Sequence, residues 1–221
     1  MKGTTKAFFI VIIAGVLLCI AGFHDTMLLI KGKTVNLNEA SVGDFTEDAL
    51  AEGTIDFVYG PFAVLEQTQK HYGITTSKTE TNFYIVSNID QGEAFVVFST
   101  ADKDLISELD DAADKWYDYF TDDSIAEEDM PAVSIDFKGK IGNQPSEEDY
   151  DQYYQEAIDD LKNVGIEASE HATEMRIIGG EVKPLMMVMC FGGAALAVLG
   201  LILLIVTSVK SKKKAAQPDL Y

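Results

Sequence analysis

Residues 184–214 read PLMMVMCFGGAALAVLGLILLIVTSVKSKKK: an uncharged run from Pro184 to Val209, then four lysines at 210, 212, 213 and 214. A helix needs roughly 20 apolar residues to cross a hydrocarbon layer about 30 Å thick. This run clears that length, so it predicts a transmembrane helix over 184–209. Working outward, a second uncharged run, AFFIVIIAGVLLCIAGF, covers Ala7 to Phe23. It extends through HDTMLLI to Ile30, with His24 and Asp25 at headgroup level, and predicts a transmembrane helix over 7–30. The segment between the two runs then decides the fold of the rest.

Lysines set the orientation. Lys2 and Lys6 precede the first run, and the four lysines from Lys210 follow the second. Short Lys/Arg-rich flanks stay on the cytoplasmic side. The reading is therefore a multi-pass cell-membrane protein: residues 1–6 a cytoplasmic N-tail, residues 210–221 a cytoplasmic basic tail, and residues 31–183 an extracytoplasmic domain. The lysine block acts as a stop-transfer anchor. A second reading makes the first run a cleaved signal peptide, with CIA before Gly22; the same domain is then outside, on one span.

The net charge is −19, and residues 31–183 alone hold 11 Lys/Arg against 34 Asp/Glu, a net of −23. An exterior this acidic repels phosphate backbones, so nucleic-acid binding is excluded. Both cysteines, Cys19 and Cys190, lie in the apolar runs. The central domain thus has no disulfide and no thiol chemistry, and at this length it folds on its apolar core alone.

Within the domain, KGKTVNLNEA reads as a strand and GDFTEDALAEG as a short helical or turn segment. GTIDFVYG alternates, with Ile55, Phe57 and Tyr59 on one face, and Gly60-Pro61 punctuates it. FAVLEQTQ reads as a strand and HYGITTSKTE as a polar loop. NFYIVSN and AFVVFST, joined by IDQGE, form a hairpin. A first amphipathic helix follows Ser99, which precedes Asp102 by three residues as in a capping box. Its stripe is Leu105, Ile106, Leu109, Ala112, Ala113, Trp116, Tyr117 and Phe120. AVSIDFKGKIGN is a strand with Val133, Ile135 and Phe137 on one face. Pro145 and Ser146 open a second helix, which Gly165 closes; its stripe is Tyr150, Tyr153 or Tyr154, Ala157, Ile158, Leu161 and Val164. TEMRIIGGEV is the last strand. Grouped strands with two amphipathic helices give an α+β domain on a mainly antiparallel sheet, flanked by two transmembrane helices. If the first and last strands share the sheet as neighbours, the domain stands directly on the helix pair.

Small residues recur at Gly15, Cys19 and Gly22, and again at Gly193, Ala197 and Gly200, each set spaced by four then three. Such stripes let helices approach closely in lipid, so the two spans are expected to pack antiparallel there. Neither span carries a central charge, which argues against conduction.

Chemistry is sparse. The histidines, His24, His71 and His171, form no metal-type pair, and no nucleophile elbow or phosphate-cradling glycine loop is present. Acidic pairs abound. Most serve as solvated faces or helix first turns. The densest loop, with Asp122, Asp123, Glu127, Glu128 and Asp129, is the candidate for weak divalent-cation binding through oxygen. No cofactor is implied.

Taken in order, VNLNEA, GTIDFVYGPFA, TNFYIVS, DKWYDYF, IDFKGKIG and YDQYYQEAI between two membrane runs resemble a family of uncharacterised two-pass membrane proteins of Gram-positive bacteria. The resemblance implies a bacterial plasma membrane and brings no activity or catalytic residue. The resulting expectation is a non-enzymatic, membrane-anchored interaction or envelope-sensing protein, with the bilayer and a protein outside the cell as partners. Two alternatives stand beside it: an extracytoplasmic calcium-binding domain, and an enzyme with a carboxylate-based site.

Overall fold

The computed structural model describes residues 3–71, 74–90, 92, 94–122 and 124–215. Two compact units emerge: residues 32–181 form one, and the flanking segments 1–31 and 182–221 form the other.

In the flanking unit, Gly3–Lys31 is one helix, α1. The central unit then runs β1 (Thr34–Asn36), β2 (Leu50–Ile55), β3 (Phe57–His71), β4 (Ile74–Ser87), β5 (Phe95–Thr100), α2 (Lys103–Thr121), β6 (Ile135–Asn143), α3 (Glu148–Asn163), α4 (Ala168–His171) and β7 (Ala172–Gly179). The last helix, α5 (Pro184–Ala215), returns to the flanking unit. Both α1 and α5 contain stretches long and apolar enough to cross a membrane, Lys6–Lys31 and Pro184–Lys210.

The seven strands form one mixed sheet in the order β1-β2-β6-β7-β5-β4-β3. Four neighbouring pairs are antiparallel, but β1 runs parallel to β2, and β7 runs parallel to β5. The expected mainly antiparallel sheet is thus corrected to a mixed one. The cause is two long connections, one from β1 to β2 through residues 37–49 and one before the last strand. After β5 the chain passes through α2, β6 and α3 before β7 inserts between β6 and β5, a long crossover that permits parallel pairing. The same insertion separates the first and last strands: β1 is at one edge, β7 at the centre, and β2 and β6 lie between them.

Strands β4 and β5 are buried on both faces, along Phe83–Ser87 and Val96–Thr100, which explains their continuous apolar runs. Tyr84 and Val86 of β4 join Phe98, Phe137, Leu109, Ala112 and Ala113 in one core. Phe57 and Ile85 face the other way, into a core with Trp116, Ala157, Ile158 and Leu161. Phe83, Val97 and Tyr150 extend that second layer.

Four local expectations change. Ile55 and Phe57 do not share a face: Ile55 lies in the first core and Phe57 in the second. The strand breaks at Asp56, whose carboxylate accepts the Ile89 and Asp90 N–H groups at 2.7 and 3.1 Å. The presumed polar loop after His71 is strand, because its threonines pair across β3 from Thr75 to Thr81 and β-branched residues suit a pleated ribbon; Tyr72 and Gly73 lie outside the described residues. Ser99 does not cap α2. It sits within β5 and donates to the Ile177 carbonyl, while Asp102 accepts the Asp104 and Leu105 N–H groups. Ser146 likewise stays outside α3, whose N-cap is Glu147 without a side-chain bond.

Gly165 does close α3. It takes φ +89°, its N–H reaches the Lys162 carbonyl, and the Ile166 N–H reaches the Leu161 carbonyl. That double bond pattern requires a left-handed residue at Gly165. Of the two tyrosines at the stripe's first turn, Tyr154 packs inward while Tyr153 is exposed.

Candidate functional site

Strand β3 is the free edge of the sheet opposite β1. Its pairing with β4 jumps from Tyr59↔Ile85 to Ala63↔Phe83, so Gly60, Pro61 and Phe62 together face Tyr84 alone. This irregularity and a proline on an edge strand blunt the edge against further pairing. The bulge also leaves a hollow. Between it, the second half of α2 and the end of α3 lies a cavity of about 440 Å³.

Aromatic rings build its floor and walls. Phe57 meets Trp116 edge-on at 5.1 Å, and Trp116 stacks on Phe120 at 5.7 Å with the planes 22° apart. Such contacts contribute beyond area burial alone. The Trp116 indole N–H donates to the Asp56 carbonyl at 2.8 Å, which fixes the ring. Tyr117 lies on the rim, 68% exposed. It was expected in the buried stripe. The sequence WYDYF carried the signal that this was one aromatic too many: at 100° per residue, Trp116, Tyr117, Tyr119 and Phe120 fan around the helix and cannot all face one core.

Its polar lining comprises the carboxylates of Asp114 and Asp160, the phenols of Tyr59 and Tyr117, and Thr121 and Asn163. Among the described residues that line the cavity, no Lys, Arg or His is present. The Tyr59 hydroxyl donates to Asp160 Oδ2 at 2.8 Å. Burial, reinforced by that hydrogen bond and by the Asp160 charge, holds the phenol's pKa far above its ordinary value. Burial also raises the Asp56 carboxyl, against the lowering effect of its two backbone donors.

The sequence-derived candidates lie elsewhere. In the acidic loop, Asp122 follows α2, and the hydroxyl of Ser124, with its N–H at 2.9 Å, lowers the Asp122 pKa. Glu128 and Asp129 belong to a short 3-10 turn with Glu127. Asp123 and the side chain of Glu127 lie outside the described residues. Among the described residues no group of three or more His, Cys, Asp or Glu converges to hold a metal.

The small-residue stripes of the flanking unit come together. A Cβ on Gly15 would lie 2.6 Å from the Gly193 carbonyl oxygen and 2.7 Å from the Ala197 nitrogen. One on Gly193 would meet the Gly15 oxygen and the Cys19 nitrogen at 2.5 and 2.6 Å. Gly22 faces Met186 and Cys190, and Gly200 faces Ile12 and Phe8, so the helices run antiparallel. The Cys19 and Cys190 sulfurs are 3.7 Å apart. Thr26 donates to the Gly22 carbonyl at 2.6 Å and lies 3.3 Å from that of Met186.

These features define a class: an α+β unit with an aromatic, carboxylate-rimmed cavity, on a chain with two helices long and apolar enough to cross a membrane. The chain belongs to the family described as Domain of unknown function (DUF8577), whose model matches residues 1–206. No curated protein matches it.

Proposed function

We propose that this protein is a membrane-anchored binding module: α1 and α5 cross the membrane, both termini are cytoplasmic, and the acidic α+β unit works outside through the cavity at the β3 edge. It takes part in interaction or envelope sensing and not in catalysis. The cavity carries this reading, because concave, mostly apolar sites with a few convergent polar groups are where ligands bind. Its hydrogen-bonded phenol, Tyr59, is poorly suited to acid–base chemistry. A catalytic group needs a pKa near the working pH, and Tyr59 is driven the other way. The charge pattern supports the orientation, since the lysines flank the apolar runs on the sides assigned to the cytoplasm.

Cysteine accessibility tests the topology. Ser169→Cys, at an exposed position, is expected to react with a membrane-impermeant maleimide on intact cells. Ser211→Cys, inside the lysine block, is expected to react only after permeabilisation. The reverse pattern, or labelling of both on intact cells, would reject the arrangement.

A further inference from the structure

We infer that the cavity at the β3 edge binds a small organic cation, an ammonium group carried on a compact apolar body. The inference deepens the binding-module reading and rests on it. Three observations converge. The walls are aromatic: Phe57, Tyr59, Phe62, Trp116, Tyr117 and Phe120 all contribute, and ring faces attract cations, ammonium groups above all. Among the described residues the charged groups at the site are both anionic, Asp114 and Asp160, with no lining cation to neutralise them. Tyr59 occupies only Oδ2 of Asp160, so Oδ1 is the oxygen available to a ligand. The segment 31–183, at a net of −23, adds a long-range field that concentrates cations and repels anions.

Size agrees with the chemistry. A volume of about 440 Å³ falls at the small-molecule end of the usual range for ligand sites, roughly 300–1,000 Å³. Trp116 is 3% exposed and belongs to the second core, so the ligand meets a preorganised wall. Tyr117 stands exposed on the rim.

The chain has one tryptophan, Trp116, and it lines the site, so its fluorescence reads occupancy directly. The experiment uses the full chain in uncharged maltoside micelles. Choline and n-butylammonium are titrated against 3,3-dimethylbutan-1-ol, the neutral isostere of choline, and against NaCl at matched ionic strength. The expected result is a saturable change with at least one ammonium ion and none with the isostere or NaCl. Asp160→Asn keeps an acceptor for Tyr59 but removes the charge; it and Tyr117→Ala should each weaken binding about tenfold, and Tyr117→Phe should restore it. Equal responses to choline and its isostere would overturn the cation inference while leaving the cavity as a binding site. A response matched by NaCl would reduce it to screening and also overturn it. No saturable response to any compound would overturn both the inference and the cavity reading.

Discussion

Tyr84 and Tyr150 are both buried, yet their hydroxyls are in opposite situations. Tyr84 donates to Asp110 at 2.7 Å and accepts from Asn82 at 3.3 Å. The Tyr150 hydroxyl has no hydrogen-bond partner among the described residues, and Arg176 Nε shares that condition nearby. Arg176 is instead placed over the Phe83 ring, 5.6 Å from its centre, and burial lowers its pKa. A satisfied hydroxyl contributes about 1 kcal/mol, whereas an unsatisfied one is a cost. Tyr84→Phe should therefore destabilise the full chain by about 1 kcal/mol, and Tyr150→Phe should be neutral or stabilising by up to about 1 kcal/mol. Denaturant titration in micelles measures both. Equal losses from the two deletions would contradict the assignment of partners. None of this was legible from the sequence, where both tyrosines read simply as large amphipathic residues on strand and helix.

At the level of elements, the α1–α5 pair was the most legible feature and the sheet edge the least. Uncharged length and small residues at spacings of four and three are local properties, and they are all that helix contact in an apolar medium requires. A Cβ at Gly15 would press on backbone atoms of α5, so Gly15→Leu must force the helices apart. Cys19 and Cys190 are the chain's two cysteines, and their sulfurs lie 3.7 Å apart. Mild oxidation should link them readily in the unsubstituted protein and several-fold more slowly in Gly15→Leu, read as protection from maleimide after denaturation. Unchanged oxidation in the variant would show that the glycine contact does not hold the pair together. The hollow beside β3, by contrast, depends on a register jump across two strands. Periodicity placed Ile55, Phe57 and Tyr59 on one face, and the break at Asp56 undid it.

At the level of the whole molecule, charge dominates. The 34 acidic residues of segment 31–183 repel one another and oppose compaction, so salt is expected to stabilise by screening. Millimolar CaCl2 should raise the melting temperature no further than NaCl at equal ionic strength. A larger calcium shift, abolished by Asp122→Asn with Asp129→Asn, would revive the loop as a cation site.

The sequence by itself determined that two long apolar runs bracket an acidic α+β unit, that lysines flank the runs, and that small residues line them. These are properties of composition and short-range spacing, set by burial and backbone approach. Only the tertiary structure decided that β7 enters the middle of the sheet, that the sheet is mixed, and that aromatic residues from β3 and α2 converge beside two carboxylates, one from α2 and one from α3. Those outcomes depend on which strands pair at long range, and a chain's local pattern of apolar residues is the same for several such pairings.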